Sequence, residues 1–323
     1  MSTKKVDGVF EGGGVKGIGL AGALAVTEEQ GYRFENVAGT SAGAIIAALV
    51  AAGYSAAELK AVIDNLDYRE FKDESLIDHI PLLGPALSLG FEKGIYEGDY
   101  FEEWIREKLA AKGVHTFADL RTAETDARWR WRLKVIAADI SRGKLLRFPD
   151  DAVDYKLDPD DLDVARAVRM SMSIPFFFEP VVLKSKEGRS CYIVDGGVLS
   201  NFPVWLFDSD GEPAWPTFGY KLVNPKENRP HQINGPLTLF AALFSTMLDA
   251  HDARYIEDQH FARTIPIHTG HVRSTDFDLS KADAAWLYAQ GRLAAREFFD
   301  RWDFEAYKRQ WRQGAPDSRA LRL

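Results

Sequence analysis

A hydroxyl, a carboxylate and a run of bare backbone amides are the groups in this sequence that can do chemistry together. The hydroxyl is Ser41 in "GTSAG", Gly39 to Gly43. The stretch fits G-x-S-x-G between a strand and a helix, where a sharp turn pushes the serine outward and flanking glycines avoid clashes. The following helix aims its positive end there, favouring negative charge by tenths of a kcal/mol up to about 2 kcal/mol. A tight turn with a helix-capping serine is the plainer alternative. The carboxylate is Asp195 in "IVDGGVLSNFP". An apolar strand, "YIV", delivers it at a C-terminal end, where open α/β sheets place ligands. Gly196 and Gly197 then let the backbone turn and approach closely. An Asx-turn closing a strand would use the same residues.

The amides belong to "VFEGGGVKGIGLAGALAV", Val9 to Val26, which also fits G-x-G-x-x-G at Gly12, Gly14 and Gly17. A dinucleotide site needs an acidic residue at the end of the second strand, about 20 residues on. Glu35 lies 18 residues after Gly17, yet it precedes the apolar "VAG", and the strand ends at Ser41 instead. The loop therefore suits an oxyanion better than a cofactor. Gly12, Gly13 and Gly14 leave their N–H groups unshielded at the positive end of a helix. One donor aimed at a developing alkoxide contributes about 3–4 kcal/mol. Lys16 either adds positive charge nearby or pairs with a surface carboxylate.

A serine nucleophile needs a base, ordinarily histidine. Of His79, His115, His231, His251, His260, His268 and His271, none sits in a loop built to present it. His251 and His260 fall on one expected amphipathic helix, where a solvated or ion-paired ring is the ordinary role. Asp195 is the stronger partner for Ser41.

Strands alternating with helices must position these groups, which predicts a three-layer α/β/α fold around a mainly parallel sheet. "VDGVF" and "FENVAGTS" read as strands, each followed by a helix rich in small residues. Ser55 with Glu58 forms a capping box for the next helix. "WRWRLKVIAADI" and "KLLRFP" read as strands around a turn at Ser141–Gly143. "DVARAVRMSMSIPFFF" reads as a helix ending before Pro175. A helix follows Pro236 to about Gln259, then a strand at "RTIPIHTG" and a last helix from Ser280 to Arg301. One domain is expected over 6–299, with a helical tail over 300–323. Residues 71–98 read as an irregular, partly mobile cover. Within it "IPLLGPALSLGF" (Ile80–Phe91), with "SIPFFFEPVV" (Ser173–Val182), can line an acyl channel or belong to the core, and Phe176–Phe178 read as core first.

At 323 residues with 46% hydrophobic and 27% charged content, the chain can bury a large core. A net charge of -8 with no basic block argues against a nucleic-acid partner. The single cysteine, Cys191, excludes an internal disulfide and thiolate metal clusters. "MSTKKVDG" does not read as a signal peptide, so a cytoplasmic location is expected. The longest apolar run, "AGTSAGAIIAALVAAG", is short of the roughly 20 residues needed to span a bilayer and reads as a buried helix.

The order of the parts, glycine loop first and serine elbow second, departs from the α/β-hydrolase layout. It resembles the patatin-like phospholipases in "GGGVKG" (Gly12–Gly17), "GTSAG" and "DGG" (Asp195–Gly197), with "RMSMSIPFFFEPV" similar to the family's stretch between serine and aspartate. The resemblance covers about Val6 to Phe299. It implies a lipid acyl hydrolase with Ser41 as nucleophile, Asp195 as base and Gly12–Gly14 as oxyanion loop. Lys16, Gly17, Gly39, Gly43, Gly196 and Gly197 complete the motifs. It further implies no metal or cofactor, and a lipid or phospholipid substrate met at a membrane surface. Glu11 departs from the small or aspartate residue that many members carry before the glycines, and adds negative charge near the site. A transacylase or general esterase with the same dyad, and an idle dyad in a lipid-binding or regulatory protein, remain the alternative readings.

Overall fold

A computed structural model of the chain describes residues 3–65, 98–124, 126–209, 211–223, 258–274, 276 and 279–312, with scattered positions between 233 and 247. The expected cover and its apolar stretch at Ile80–Phe91 lie outside the described residues, as do His79, His231, His251 and most of the helix expected after Pro236.

The strands are β1 (Lys4–Phe10), β2 (Tyr32–Thr40), β3 (Leu133–Asp139), β4 (Lys144–Phe148), β5 (Val181–Lys184), β6 (Ser190–Asp195), β7 (Thr217–Val223) and β8 (Thr264–His268). The main helices are α1 (Gly17–Glu29), α2 (Ala42–Ala51), α3 (Ala56–Asp64), α4 (Asp99–Ala110), α5 (Val164–Ser171), α6 (Lys281–Phe299) and α7 (Phe304–Trp311). Strands β3, β2, β1, β7 and β8 pair in parallel, and β4, β5 and β6 extend the sheet with antiparallel pairs. Helices flank this mainly parallel sheet, the α/β layering that the alternation of elements predicts.

Alternation along each strand sorts the two faces. Val6, Phe10, Val37, Val135, Ala137, Phe218 and Tyr220 join the main core with α1, α2 and α5. Val9 and Ala38 point the other way, against Phe202, Val204 and Phe207. The run from Ala38 to Gly53 is not a membrane span: every residue of α2 except Ile45 is buried. Among the described residues, no helix is long and apolar enough to cross a membrane.

Two elements differ from expectation. β7 inserts between β1 and β8, although Gly219 and Lys221 break its apolar pattern. The tryptophan–arginine alternation before β3 imitates a strand, but Ala127–Trp129 forms a short 3-10 turn and β3 starts at Leu133. There Trp131 Nε1 donates to Asp160 at 2.9 Å, and Arg132 donates to the Phe34 carbonyl at 2.6 Å. As expected, α5 ends before Pro175, at Ser171, and the bend that follows reaches into the site described next.

Candidate active site

Ser41 is the one residue between β2 and α2, with backbone angles φ 54° and ψ -128°. Side chains other than glycine seldom adopt such a positive φ, and it persists only where the surroundings over-determine it. Here two supports act. A Cβ on Gly43 would stand 2.2 Å from the Phe10 carbonyl oxygen, and one on Gly39 2.1 Å from the Gly43 carbonyl oxygen, so α2 rests directly on β1. The Ser41 amide donates to Ser171 Oγ at 2.9 Å, and Ser171 donates in turn to the Ile136 carbonyl at 2.5 Å.

Sheet register brings Asp195 to the same place. β4 occupies one edge of β3 from Val135 to Asp139. A strand has only two edges, so β2 and β6 must share the other. β2 pairs with Leu133–Ile136 in parallel, and β6 with Ala137–Asp139 antiparallel. The two strands therefore run toward each other and end opposite successive residues, Thr40 at Ile136 and Asp195 at Ala137. One residue along a strand is about 3.3 Å, which makes Ser41 and Asp195 neighbours across more than 150 residues of sequence. Asp195 stands at the C-terminal end of its strand, as expected, and that strand arrives head-on from the antiparallel margin of the sheet.

Burial dominates the electrostatics. Ser41 is 5% and Asp195 1% exposed. Burial pushes the Asp195 carboxyl from its ordinary 3.8 up to about 7, against smaller opposing pulls from the Gly197 N–H and the Ser41 hydroxyl. The Gly197 amide donates to Asp195 Oδ1 at 2.8 Å. Among the described residues Oδ2 has no hydrogen-bond partner. Ser41 Oγ lies near enough to favour the charged carboxylate, yet its proton points to Met172 Sδ at 3.7 Å. Geometry outranks the electrostatic effect here: the serine–aspartate bond is not made in this conformer. Bonds of this kind are often long until substrate tightens them.

The glycine loop passes over the serine, and a Cβ on Gly12 would stand 3.0 Å from Ser41 Cβ. Its three amides are not equivalent. Gly12 N–H donates to the Asn201 carbonyl at 3.3 Å, and Asn201 Nδ2 donates back to the Gly12 carbonyl at 3.1 Å. Gly12 is thus tied down, and the expected set of three donors shrinks to two. Among the described residues nothing accepts from the amides of Gly13 and Gly14. Gly14 takes φ +55° with the Ser274 carbonyl oxygen 1.9 Å from where a Cβ would be, so only glycine fits. Half-buried Lys16 closes the 3-10 turn, and Gly17 starts α1 against Ala42 of α2. A Cβ on Gly196 would stand 2.5 Å from the Ile136 carbonyl oxygen.

Glu11 has a structural task. Its amide donates to the Tyr220 carbonyl at 3.1 Å, and its carboxylate accepts from the Leu222 amide and from Lys221 Nζ. The side chain continues the β1–β7 ladder after the backbone has turned away into the glycine loop. Its charge is matched by Lys221 at 3.1 Å.

The described histidines lie elsewhere. His260 is buried against Asp208 at 3.3 Å, His271 is exposed beside Asp283, and His115 and His268 are exposed. Glu35, the tempting ribose acid, sits within β2 with Lys5 at 3.5 Å. Phe178 is core, whereas Phe176 and Phe177 are half-buried. Sequence reasoning did not find roles for Asn201, Ser171 or Ser173; their place within the "IVDGGVLSNFP" and "RMSMSIPFFFEPV" stretches was the available signal.

Comparison with known proteins bears on the family of the chain. The model of the patatin-like phospholipase family matches residues 8–208. The uncharacterized protein YqhO of Bacillus subtilis (strain 168) is 44% identical over 301 residues, 93% of this chain and 99% of that one. The cUMP-AMP-activated phospholipase of Escherichia coli is 27% identical over 210 residues, 64% of this chain and 58% of that one. VipD from Legionella pneumophila shares the fold, with a TM-score of 0.57 at 19% identity over 93% of this chain and 67% of that one. A family match that runs from β1 past β6, with a relative alike almost from end to end, means that this chain belongs to the patatin-like phospholipase family.

Proposed function

We propose that this protein hydrolyses carboxylic esters of lipids through a Ser41–Asp195 dyad, with the Gly13 and Gly14 amides holding the oxyanion. The observation that carries the reading is the meeting of β2 and β6 along one edge of β3, beneath two unengaged amides. Ser41 Oγ attacks the ester carbonyl carbon while its proton passes to Asp195 Oδ2. The tetrahedral intermediate collapses, the proton goes to the departing alcohol, and an acyl-serine remains for water to hydrolyse. An aspartate in water is too weak a base for a serine hydroxyl. Burial narrows the gap by destabilising the carboxylate. The rest of the barrier falls to the oxyanion donors, each contributing about 3–4 kcal/mol in a site closed to water. With Ser41 only 5% exposed, an ester reaches it after neighbouring groups part.

The test is hydrolysis of a panel of phospholipid and acyl-glycerol esters by the wild type, Ser41→Ala and Asp195→Asn. Both variants are expected to fold and to lose turnover by at least about a thousandfold. Turnover surviving in Asp195→Asn, with loss in His260→Ala, would replace the dyad by a histidine-based site. Acyl transfer to added alcohol in place of hydrolysis would make the protein a transacylase.

A further inference from the structure

Ser171 sits in the "RMSMSIPFFFEPV" stretch and is fully buried, at 0% exposure, yet the dyad chemistry assigns it no step. We propose that Ser171 is a positioning residue for the nucleophile, its hydroxyl holding Ser41 at the backbone angle from which Oγ attacks; this rests on the dyad reading above. A serine hydroxyl has one proton to give. Here that proton is committed to the Ile136 carbonyl at 2.5 Å, which turns an oxygen lone pair toward the Ser41 N–H at 2.9 Å. The anchor is rigid, because Ile136 is held by β2 on one edge and β4 on the other. It also lies one residue from Ala137, the partner of Asp195.

The same turn touches the other half of the dyad: the Asp195 amide donates to the Ser173 carbonyl at 2.9 Å. Between the two serines, Met172 places its thioether 3.7 Å from Ser41 Oγ. One end of α5 therefore fixes both strand ends relative to a single carbonyl of β3. Removing the Ser171 hydroxyl leaves the Ser41 amide and the Ile136 carbonyl unpaired where no water reaches. Ser41 is then free to relax from φ 54°, which swings Oγ away from the Gly13 and Gly14 amides. Ser171 has no exposed surface to offer an acyl chain, so the loss belongs to the chemical step and not to binding.

The experiment compares wild type, Ser171→Ala and Ser171→Cys in labelling by a fluorophosphonate and in turnover of a p-nitrophenyl fatty-acyl ester, with folding checked by circular dichroism. Displacement of a reacting atom by about 1 Å costs on the order of a hundredfold, so Ser171→Ala is expected to lose about 10- to 100-fold in both labelling rate and kcat. KM stays within about threefold, as for an interaction realised only in the transition state. The acid midpoint of activity moves little, because burial and the Gly197 amide, the larger influences on Asp195, are unchanged. Ser171→Cys, similar in shape but a weaker hydrogen-bonding group, falls between the two and takes over if the alanine variant does not fold. A folded variant that labels at the wild-type rate, or a loss confined to KM, overturns the proposal. Ser41→Ala run in parallel separates the two ideas: undiminished turnover there overturns the dyad and this role with it. Loss of turnover in Ser41→Ala together with wild-type labelling and kcat in the folded Ser171 variants overturns the positioning role alone.

Discussion

As the proposed base, Asp195 meets opposing demands from stability and chemistry. Its carboxyl rises to about 7 because burial penalises the charge, and the Gly197 amide and Ser41 hydroxyl recover only part of that penalty. Between 3.8 and about 7 the folded protein holds a proton that the unfolded chain releases. The fold must therefore lose stability as pH rises through that window, and keep the full deficit above it. Two outcomes follow at this single residue. The kcat/KM for ester hydrolysis should fall as pH drops through about 7, since the base must be ionised; a flat profile down to pH 5 would exclude Asp195 as the base. Asp195→Asn, expected to be inactive, should have a higher melting temperature than wild type at pH 8, a gain that vanishes near pH 4. Scanning calorimetry at the two pH values reads the difference. Ser41 illustrates the same trade: its positive φ was not written in "GTSAG" beyond the glycines that allow it.

Elements differ in how much of themselves the sequence discloses. The capping box of α3 is complete in the structure, with the Ser55 amide donating to Glu58 at 2.8 Å, because such a motif is satisfied by residues three apart. Strand β7 escapes a local reading because its glycine exists for the far side of the fold. A Cβ on Gly219 would meet Phe202 at 2.4 Å, a contact made by no sequence neighbour. The pairing of α1 with α6 has the same character. Gly22 lies against the Tyr288 carbonyl and Gly291 against the Gly19 carbonyl, where a Cβ would stand 1.9 Å from the oxygen. Backbone this close cannot yield to a methyl group, so Gly291→Ala should destabilise the fold by about 1–3 kcal/mol. Urea denaturation would show a lower midpoint with an unchanged slope. The acylation rate of the folded fraction should stay as in wild type, because α6 supplies no group to the site.

Across the whole molecule a second buried carboxylate adds to the first. Asp7 in β1 accepts from the Asn36 amide at 3.1 Å and from its side chain at 2.9 Å, at the point where β2 slips register. Burial again dominates and pushes it up to about 7. Asp7 and Asp195 share no hydrogen-bond partner, so their effects should add. Melting temperature should fall between pH 5 and pH 8, less steeply in Asp7→Asn or Asp195→Asn, and least in the double variant. A double variant as steep as wild type would place the pH dependence elsewhere. The C-terminal segment also belongs to this scale: Trp302 packs edge-on against Phe218 of β7 at 5.1 Å, and Lys308 pairs with Glu212 at 2.8 Å.

The chain's own order of residues was enough for the alternation of strand and helix, for the bare glycine amides, and for proposing Ser41 and Asp195 as a pair. Each of these is a local property of residue type and spacing. The tertiary structure alone decided that β6 runs head-on into β2, that Asn201 takes up the Gly12 amide, and that Ser171 grips Ser41 from 130 residues away. Those are matters of which strand edge and which buried amide remain unfilled, and only the assembled sheet fixes them.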